Sequence, residues 1–347
     1  MDKALLDELH DIAVRMVAPG KGILAADEST GTIKKRFDSI GVESTEDNRR
    51  DYRELLFRSQ KAMRENISGV ILYDETIRQK AADGTPLVKL IEEAGSIPGI
   101  KVDKGAKPLA FKDGETVTEG LDGLRERLEE YHRLGARFAK WRAVIDTSKD
   151  GGKPSYTCLL ANMHALARYA ALCQEQRIVP IVEPEVLMDG DHDIDTCYAV
   201  TEWGLKELYQ QLYYLDVKLE GTILKPNMII AGKKASKQAS AEEIAEKTVR
   251  CFRNAVPSAV PGIVFLSGGQ SETQATENLN LMNKAYGKEL PWALSFSYGR
   301  ALQASALETW GGKADQVTAA QAAFDHRARM NGLAQQGAWT AEMESAA

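Results

Sequence analysis

The sequence predicts a single-domain α/β fold, the (β/α)8 or TIM barrel. Eight short apolar or β-branched segments, each bounded by Gly, Pro or Asp, alternate with longer segments of helical spacing. Strands that alternate with crossover helices pair in parallel, and eight such units close a barrel. A length of 347 residues and an apolar content of 44% suit one barrel with a large core.

The candidate strands and helices follow one another along most of the chain. The strands are expected at 22–27, 69–74, 99–103, 138–145, 179–183, 222–226, 263–267 and 292–297. Helices are expected at 2–17, 45–66, 86–94, 121–134, 156–174, 196–215, 241–256, 272–285, 300–309 and 314–333. A doubly wound open sheet is the alternative, but no GxGxxG motif follows the first strand. We therefore expect the barrel over residues 1–335 and a mobile tail over 336–347.

Composition excludes several classes of function. The formal net charge of -6 comes without a basic stripe that could neutralise a nucleic-acid backbone, so a nucleic-acid partner is not expected. No uninterrupted apolar run reaches the roughly 18 residues of a membrane span, and no membrane partner is expected. The 4 cysteines form no CxxC pair, which fits reduced thiols. A cytoplasmic location follows.

Ionisable residues interrupt the apolar strands, where a barrel core would be expected. At the carboxyl ends of the strands stand Asp27, Lys101, Asp103, Lys140, Arg142, Glu183, Glu185 and Lys225. All strand carboxyl ends of a barrel meet at one face, and residues two apart share one side of a strand. These side chains are therefore expected to share a pocket. Taken singly, each could instead belong to a solvated rim or a structural ion network.

Three of these residues are lysines, and their chemistry suggests covalent catalysis. A neutral lysine attacks a ketone carbonyl to form an iminium, which accepts electrons when an adjacent carbon–carbon bond breaks. Desolvation and neighbouring positive charge both favour the neutral amine. Carboxylates such as Asp27 and Glu183 could move the protons. Spacing alone does not choose among Lys101, Lys140 and Lys225 as the nucleophile.

Two sets of anion-binding groups are expected at the same face. The first follows the last two strands and consists of Ser267, Gly268, Gly269, Ser297, Gly299 and Arg300. Small residues with free backbone N–H groups, hydroxyls and a guanidinium at this place are typical of a phosphate site. The second set, on the opposite side, consists of Ser29, Thr32, Arg36, Lys101 and Arg142. Two sets favour a substrate with two phosphate groups.

The segment 189–193, with the sequence DGDHD, has residue types that bind metals. It lacks the spacing of a calcium loop and contains one histidine, so a loop turn and a helix cap are the expected roles. No metal and no cofactor are expected.

Six motifs together resemble the class I fructose-bisphosphate aldolases. They are GILAADESTG at 22–31, FAKWR at 138–142, IVEPE at 181–185, LKPNM at 224–228, FLSGGQ at 265–270 and FSYGRA at 296–301. The similarity covers roughly residues 1–335, with the motifs in the family's order and spacing. It implies reversible cleavage of fructose 1,6-bisphosphate into dihydroxyacetone phosphate and glyceraldehyde 3-phosphate, without a metal, by a homotetramer.

The resemblance also implies a role for each site residue. Lys225 stands at the position of the Schiff-base lysine, Glu183 at that of the acid and base for the carbinolamine, and Lys140 at that of the assisting cation. Asp27 matches the carboxylate linked to proton removal from the hydroxyl beside the cleaved bond, with Glu185 and Arg142 in support. The two phosphate sets fall at the family's two phosphate sites.

The chain departs from animal-type members at its end. Those members end in a tyrosine implicated in proton exchange, whereas this chain ends ESAA and its last aromatic residue is Trp339. The rival functions are another Schiff-base barrel lyase or transaldolase-like enzyme, and a non-catalytic scaffold on the same fold. A scaffold would predict loss of Lys225, Glu183 or Asp27, and all three are present.

Overall fold

A closed barrel of parallel strands forms the centre of the computed structural model, which describes residues 1–148 and 152–345. In chain order the strands are β1 (Gly22–Ala26), β2 (Ile67–Leu72), β3 (Ile97–Lys101), β4 (Ala106–Pro108), β5 (Thr116–Thr118), β6 (Phe138–Ile145), β7 (Val179–Val186), β8 (Ile223–Leu224), β9 (Gly262–Phe265) and β10 (Ala293–Tyr298). Around the barrel the order is β1, β10, β9, β8, β7, β6, β3, β2, and neighbours pair in parallel. The predicted (β/α)8 fold is confirmed.

Helices surround this barrel. In the described part of the chain they are α1 (Lys3–Met16), α2 (Thr30–Asp38), α3 (Glu46–Phe57), α4 (Gln60–Glu65), α5 (Asp74–Arg78), α6 (Leu87–Glu93), α7 (Leu124–Arg133), α8 (Tyr156–Glu175), α9 (Ile194–Tyr214), α10 (Ala241–Ala255), α11 (Glu272–Tyr286), α12 (Arg300–Trp310) and α13 (Val317–Gln335). Serine and aspartate caps begin several of them. Ser240, for example, accepts a hydrogen bond from the Glu243 N–H at the start of α10. None of these helices is long and apolar enough to cross a membrane.

Two apolar layers hold the barrel together. The larger lies between the strands and the helices, and the smaller fills the barrel interior with residues such as Ile23, Phe138, Ile181 and Ile223. The apolar face of α1, including Leu9, joins the interior layer and so closes the amino end of the barrel. The opposite, carboxyl end therefore remains for a site.

The Phe138 ring fills the interior next to two strand glycines. A Cβ built on Gly99 would lie 2.3 Å from this ring, and one on Gly69 would lie 2.9 Å from it. Side chains at those positions would collide with the ring. β2 and β3 therefore carry glycine where they face the large side chain on β6.

Some elements differ from the predictions. The helix expected over 45–66 is interrupted, because Ser59 leaves the helical conformation and its hydroxyl donates to the Leu55 carbonyl oxygen at 3.1 Å. The antiparallel β4–β5 hairpin was not expected. Its strands of 3 residues are too short for a pattern of period two to show in the sequence.

The last described residues pack against the barrel helices. Trp339 is 7% exposed, and its indole N–H donates to Glu344, which also pairs with Arg327 on α13. Residues 346 and 347 lie outside the described residues. The mobility expected for the segment 336–347 stays a prediction.

Candidate functional site

A cavity of about 650 Å³ opens at the carboxyl ends of the barrel strands. Every site residue proposed from the sequence except Asp103 lines it. These are Asp27, Ser29, Thr32, Arg36, Lys101, Lys140, Arg142, Glu183, Glu185, Lys225, Ser267, Gly268, Gly269, Ser297, Gly299 and Arg300. Residues spread over most of the sequence thus converge on one volume.

Strand alternation explains how the charged residues reach this cavity. On β6, the interior residue Phe138 is followed two positions later by Lys140, and on β7 Ile181 is followed by Glu183. Lys225 follows β8, and its N–H donates to the Val182 carbonyl oxygen at 2.8 Å, which continues the strand pairing by one residue. The same side of each strand is therefore apolar at the bottom of the barrel and charged at its mouth.

A buried ion network links four of these side chains. The Lys140 ammonium lies 2.7 Å from Asp27 Oδ2 and 3.4 Å from Glu183 Oε2. The other carboxylate oxygen of Glu183, Oε1, lies 3.3 Å from the Lys225 ammonium. The two lysine side chains and that of Glu183 are each exposed by no more than 6%. Glu183 thus stands between two lysines in a site that largely excludes water.

The network shifts the protonation of Asp27 and Lys140 in a complementary way. Burial alone would raise the pKa of Asp27, but the charges of Lys140 and Lys225 outweigh burial and lower this pKa to about 2. Burial alone would lower the pKa of Lys140, but Asp27 and Glu183 hold it above its ordinary value. At neutral pH, Asp27 is therefore a carboxylate and Lys140 an ammonium ion.

The first phosphate set forms a concave surface on one side of the cavity. Gly268 and Gly269 have φ angles of +55° and +77°, a left-handed conformation that glycine adopts without steric cost. The Ser297 hydroxyl oxygen is buried and has no hydrogen-bond partner among the described residues. Gly299 directly precedes α12, whose amino-terminal N–H groups favour an anion. Arg300 begins that helix.

The second set is more strongly paired, and its member Arg36 borders the first set, since a Cβ built on Gly299 would lie 3.4 Å from Arg36 Nη2. The Ser29 and Thr32 hydroxyl oxygens are 3.1 Å apart. Arg36 forms a hydrogen-bonded ion pair with Glu28, a residue with no role assigned from the sequence. Arg142 is paired with Glu185 in the same way.

Asp103 does not share this cavity, contrary to the sequence prediction. Its carboxylate accepts hydrogen bonds from the N–H groups of Gly105 and Arg142, at 3.1 and 3.2 Å. It also lies 2.8 Å from the Lys101 ammonium. These contacts turn the side chain toward an adjacent cavity, which Lys101 and Ser29 also line. Strand alternation fixes the side of the strand, but local hydrogen bonds decide where the carboxylate ends.

Several lining residues were missed by the sequence analysis. They include Glu28, Lys35, Met188, Asp189 and Lys233. Glu28 could have been found because it follows Asp27 inside a motif already singled out. The others lie on a helix or in loops beyond the strand ends, where no periodic pattern marks the side that faces the cavity.

The segment 189–193 has the loop and cap roles that were expected. Asp193 begins α9, and its carboxylate accepts a hydrogen bond from the Thr196 N–H at 2.8 Å. The His192 side chain is fully buried. Among residues 1–148 and 152–345, no three His, Cys, Asp or Glu side chains are grouped so that they could hold a metal ion.

The fold and this cavity define a TIM barrel with a buried lysine–carboxylate network at the carboxyl ends of its strands, in a cavity that further cationic, hydroxyl and glycine residues line. Comparison with known proteins identifies the family. The family model for class I fructose-bisphosphate aldolase matches residues 8–347. The chain therefore belongs to the class I fructose-bisphosphate aldolases, carbon–carbon lyases that act on sugar phosphates.

Individual relatives agree with this assignment. A probable fructose-bisphosphate aldolase class 1 of Xanthomonas campestris pv. campestris is 59% identical over 335 residues, which cover 96% of this chain and 99% of the relative. The fructose-bisphosphate aldolase of Drosophila melanogaster is 55% identical over 339 residues, 98% of this chain and 93% of the relative. The solved structure of the Plasmodium falciparum aldolase, in complex with TRAP and a small-molecule inhibitor, superposes with a TM-score of 0.95. That structure is 48% identical in sequence, and the match covers 98% of this chain and 97% of that one.

Proposed function

We propose that this class I aldolase cleaves fructose 1,6-bisphosphate through a Schiff base on Lys225. The observation that carries the proposal is the position of Glu183, with one carboxylate oxygen 3.3 Å from Lys225 and the other 3.4 Å from Lys140. A carboxylate in this place can take a proton from the attacking amine and give one to the departing hydroxyl.

The surroundings of the three cavity lysines favour Lys225 as the nucleophile. Lys140 is held as an ammonium ion by two carboxylates. Lys101 is bound by the side-chain carboxylate and the carbonyl oxygen of Asp103, at 2.8 and 2.9 Å. Lys225 has one carboxylate within 4.0 Å among the described residues, at the longer distance of 3.3 Å. Lys225 therefore contacts fewer oxygen acceptors than Lys101 or Lys140, and its amine is the most available of the three for attack on a carbonyl.

In the proposed reaction, the Lys225 side chain gives a proton to the Glu183 carboxylate, and its amine adds to the ketone carbon, C2, of the open-chain substrate. A second proton moves from the amine to the former carbonyl oxygen to give the carbinolamine. Glu183 then returns its proton to the carbinolamine hydroxyl, which leaves as water, and an iminium forms. The Asp27 carboxylate takes the proton from the C4 hydroxyl, the C3–C4 bond breaks, and its electron pair moves into the iminium to give an enamine. Glyceraldehyde 3-phosphate leaves as the aldehyde. Water supplies the proton that the enamine takes up at C3, and Asp27 gives its own proton back to water. Addition of water to the iminium then releases dihydroxyacetone phosphate and the Lys225 amine.

The low pKa of Asp27 fits this role. A base with a pKa of about 2 is fully ionised at neutral pH, although it is a weak base. Lys140 contacts both Asp27 and Glu183. Its ammonium group therefore keeps Asp27 ionised and stands next to both carboxylates that exchange protons in the proposed reaction.

The order of strands around the barrel assigns the two phosphates in this proposal. Lys225 follows β8, and the Ser267–Gly268–Gly269 loop follows the neighbouring strand β9. The phosphate on C1, one carbon from the atom bonded to Lys225, would therefore bind that loop. Lys101 is on β3, three strands away from β8. The phosphate on C6, four carbons from C2, would reach Lys101 and its neighbours.

Chemical trapping tests the nucleophile. The protein is incubated with fructose 1,6-bisphosphate and EDTA, borohydride is added, and the modified lysine is mapped by peptide mass spectrometry. We expect an adduct on Lys225 and cleavage that EDTA does not inhibit. Lys101 and Lys140 serve as internal controls, because they line the same cavity. An adduct on either would overturn the role of Lys225, and a protein that forms no adduct and cleaves nothing would support the scaffold alternative.

The Asp27→Asn variant tests the separation of the steps. It keeps the size of the side chain but cannot take the proton from the C4 hydroxyl, so we expect kcat for cleavage to fall by about 10²- to 10⁴-fold. Adduct formation on Lys225 should continue, because Glu183 assists that step. Equal losses of trapping and cleavage would contradict a role for Asp27 in bond breaking alone.

We also propose that the enzyme is a cytoplasmic homotetramer. Exposed aromatic side chains support association, since Tyr156 on α8 and Trp203 on α9 stack with ring centroids 6.3 Å apart on the surface. All four cysteines are free and buried, which suits a reducing compartment. Light scattering coupled to size-exclusion chromatography measures the oligomeric state, and a monomeric mass would refute the tetramer.

A further inference from the structure

A lysine outside the motifs lies on the edge of the proposed C1-phosphate surface. Lys233 belongs to the segment that follows Lys225 and lines the same cavity as Ser267 and Gly268. No role follows for it from the sequence or from the proposed reaction. Its position is nevertheless specific, because three structural features hold it there.

The first feature is a pair of backbone segments bound to each other. The Lys233 N–H donates to the Met188 carbonyl oxygen at 2.7 Å, and the Gly232 N–H donates to the His192 carbonyl oxygen at 2.8 Å. A Cβ built on Gly232 would lie 2.2 Å from the Gly190 carbonyl oxygen, so only glycine allows this approach. The backbone that carries Lys233 is therefore fixed beside the cavity.

The second feature is the path of the side chain across the phosphate loop. A Cβ built on Gly269 would lie 2.8 Å from the Lys233 Nζ and 2.9 Å from its Cε. Any side chain at position 269 would displace the lysine. The absence of one lets the ammonium group lie close to the loop of Ser267, Gly268 and Gly269, which lines the cavity.

The third feature is that the ion pair of Lys233 with Asp189 is weak. The Lys233 ammonium lies 3.2 Å from Asp189 Oδ1, and the two side chains are 47% and 67% exposed. Exposed pairs of this kind contribute little to stability, because water and salt screen them. A phosphate dianion on the loop, which offers more charge and more acceptor oxygens, would draw the ammonium away from Asp189.

We propose that Lys233 is a further phosphate-binding residue, which contacts the C1 phosphate and which Asp189 holds near the site while it is empty. This inference rests on the proposed Schiff base at Lys225, since that bond places the C1 phosphate on the β9 loop. Lys233 then strengthens binding of substrates that carry the C1 phosphate, such as fructose 1,6-bisphosphate, fructose 1-phosphate and dihydroxyacetone phosphate. It takes no part in bond cleavage.

The test measures the dihydroxyacetone phosphate concentration that gives half-maximal borohydride trapping on Lys225. Lys233→Gln should raise this concentration by about 3- to 10-fold, the range between an exposed ion pair and a charge-assisted contact. Lys233→Arg should restore most of the binding. Asp189→Asn should lower the concentration by about 2-fold, because it removes the competitor. The matched control is Lys234→Gln, which removes the same charge from the adjacent exposed residue outside the cavity lining and should change nothing.

Steady-state kinetics separates binding from a structural role. With fructose 1,6-bisphosphate, Lys233→Gln should raise KM by a similar factor and leave kcat within about 2-fold of the parent enzyme. An unchanged half-maximal concentration in Lys233→Gln, with the adduct still on Lys225, would overturn the role of Lys233 and leave the proposed function intact. A fall in kcat with no change in KM would overturn it as well. Absence of any adduct in the unaltered protein would instead refute the proposed function on which the inference rests.

Discussion

Replacing Lys140 with methionine tests whether this one ammonium group keeps the Asp27 carboxylate ionised. Methionine has a similar length and no charge, so the change removes the cation from a position that is 5% exposed. Asp27, at 2.7 Å, and Glu183, at 3.4 Å, then lose their shared partner. Both carboxylates stay buried.

The magnitude follows from the geometry. Two unit charges 2.7 Å apart attract by on the order of 6 kcal/mol at an effective dielectric constant of 20, and burial of the charges offsets part of this. Removal of one partner from a buried pair typically costs about 3–5 kcal/mol. We expect a loss in that range in the free energy of unfolding at pH 7.

The free energy of unfolding should also depend on pH differently in the variant and in the unaltered protein. In the unaltered protein the pKa of Asp27 is lowered from 3.8 to about 2, which contributes about 2 kcal/mol of stability above pH 4 that is lost as the pH falls through 2. Without Lys140 the strongest of the charges that lower this pKa is gone, so the pKa of Asp27 in the folded variant rises, while Lys225 and Lys101 still lower it. As the pH falls from 4 toward 2, the variant therefore loses less stability through Asp27 than the parent protein does. Its deficit in stability relative to the parent should shrink over that range.

The assay is urea unfolding followed by circular dichroism at pH 7, 5, 4 and 3, at one protein concentration because association shifts apparent stability. Lys107→Met is the matched control, since Lys107 is exposed on β4 and forms no ion pair with a described residue. We expect the control to lie within about 0.5 kcal/mol of the parent protein. A loss in Lys140→Met no larger than in the control, or a deficit that grows from pH 4 to pH 3, would refute the electrostatic reasoning.

Two further variants test the phosphate surface. Ser297→Ala removes a buried hydroxyl that has no partner among the described residues. The free energy of unfolding should therefore stay within about 1 kcal/mol of the parent value, while KM for fructose 1,6-bisphosphate should rise. A large loss of stability with unchanged KM would contradict the assignment. Gly269→Ala places a Cβ on a residue with a φ of +77°, 2.8 Å from Lys233 Nζ. It should lower the free energy of unfolding, measured with urea, by about 1–2 kcal/mol. Gly31→Ala is its control, because a Cβ built on Gly31 meets no heavy atom within 4 Å. Gly31 lies in α2, where alanine should raise the free energy of unfolding by about 0.5 kcal/mol. Equal effects of the two glycine variants would show that the close approach at Gly269 carries no strain.

The order of elements was readable from the sequence because local patterns encode it. Apolar runs of strand length, separated by helical periodicity, repeat eight times, and eight parallel units close a barrel. The two-residue period of a strand also predicted which charged residues face inward. Lys140 and Glu183 continue the interior rows of Phe138 and Ile181, so their arrival in one cavity follows from the chain itself.

The pairing of the charges was decided by the tertiary structure. Three cavity lysines looked alike in the sequence, and they became distinct only when barrel closure placed Lys140 between Asp27 and Glu183 and left Lys225 with Glu183. Distances across a barrel depend on strand order, tilt and closure, which no periodicity contains.

The contacts of side chains beyond the strand ends could not be predicted from the sequence either. Asp103 is turned out of the cavity by two backbone N–H groups, and Lys233 reaches into it across a loop from another strand. The sequence by itself thus determined the barrel, the inward rows and the family's motifs, because these depend on neighbours along the chain. The tertiary structure alone decided which groups beyond the strand ends touch, because those contacts join segments that only the closed barrel brings together.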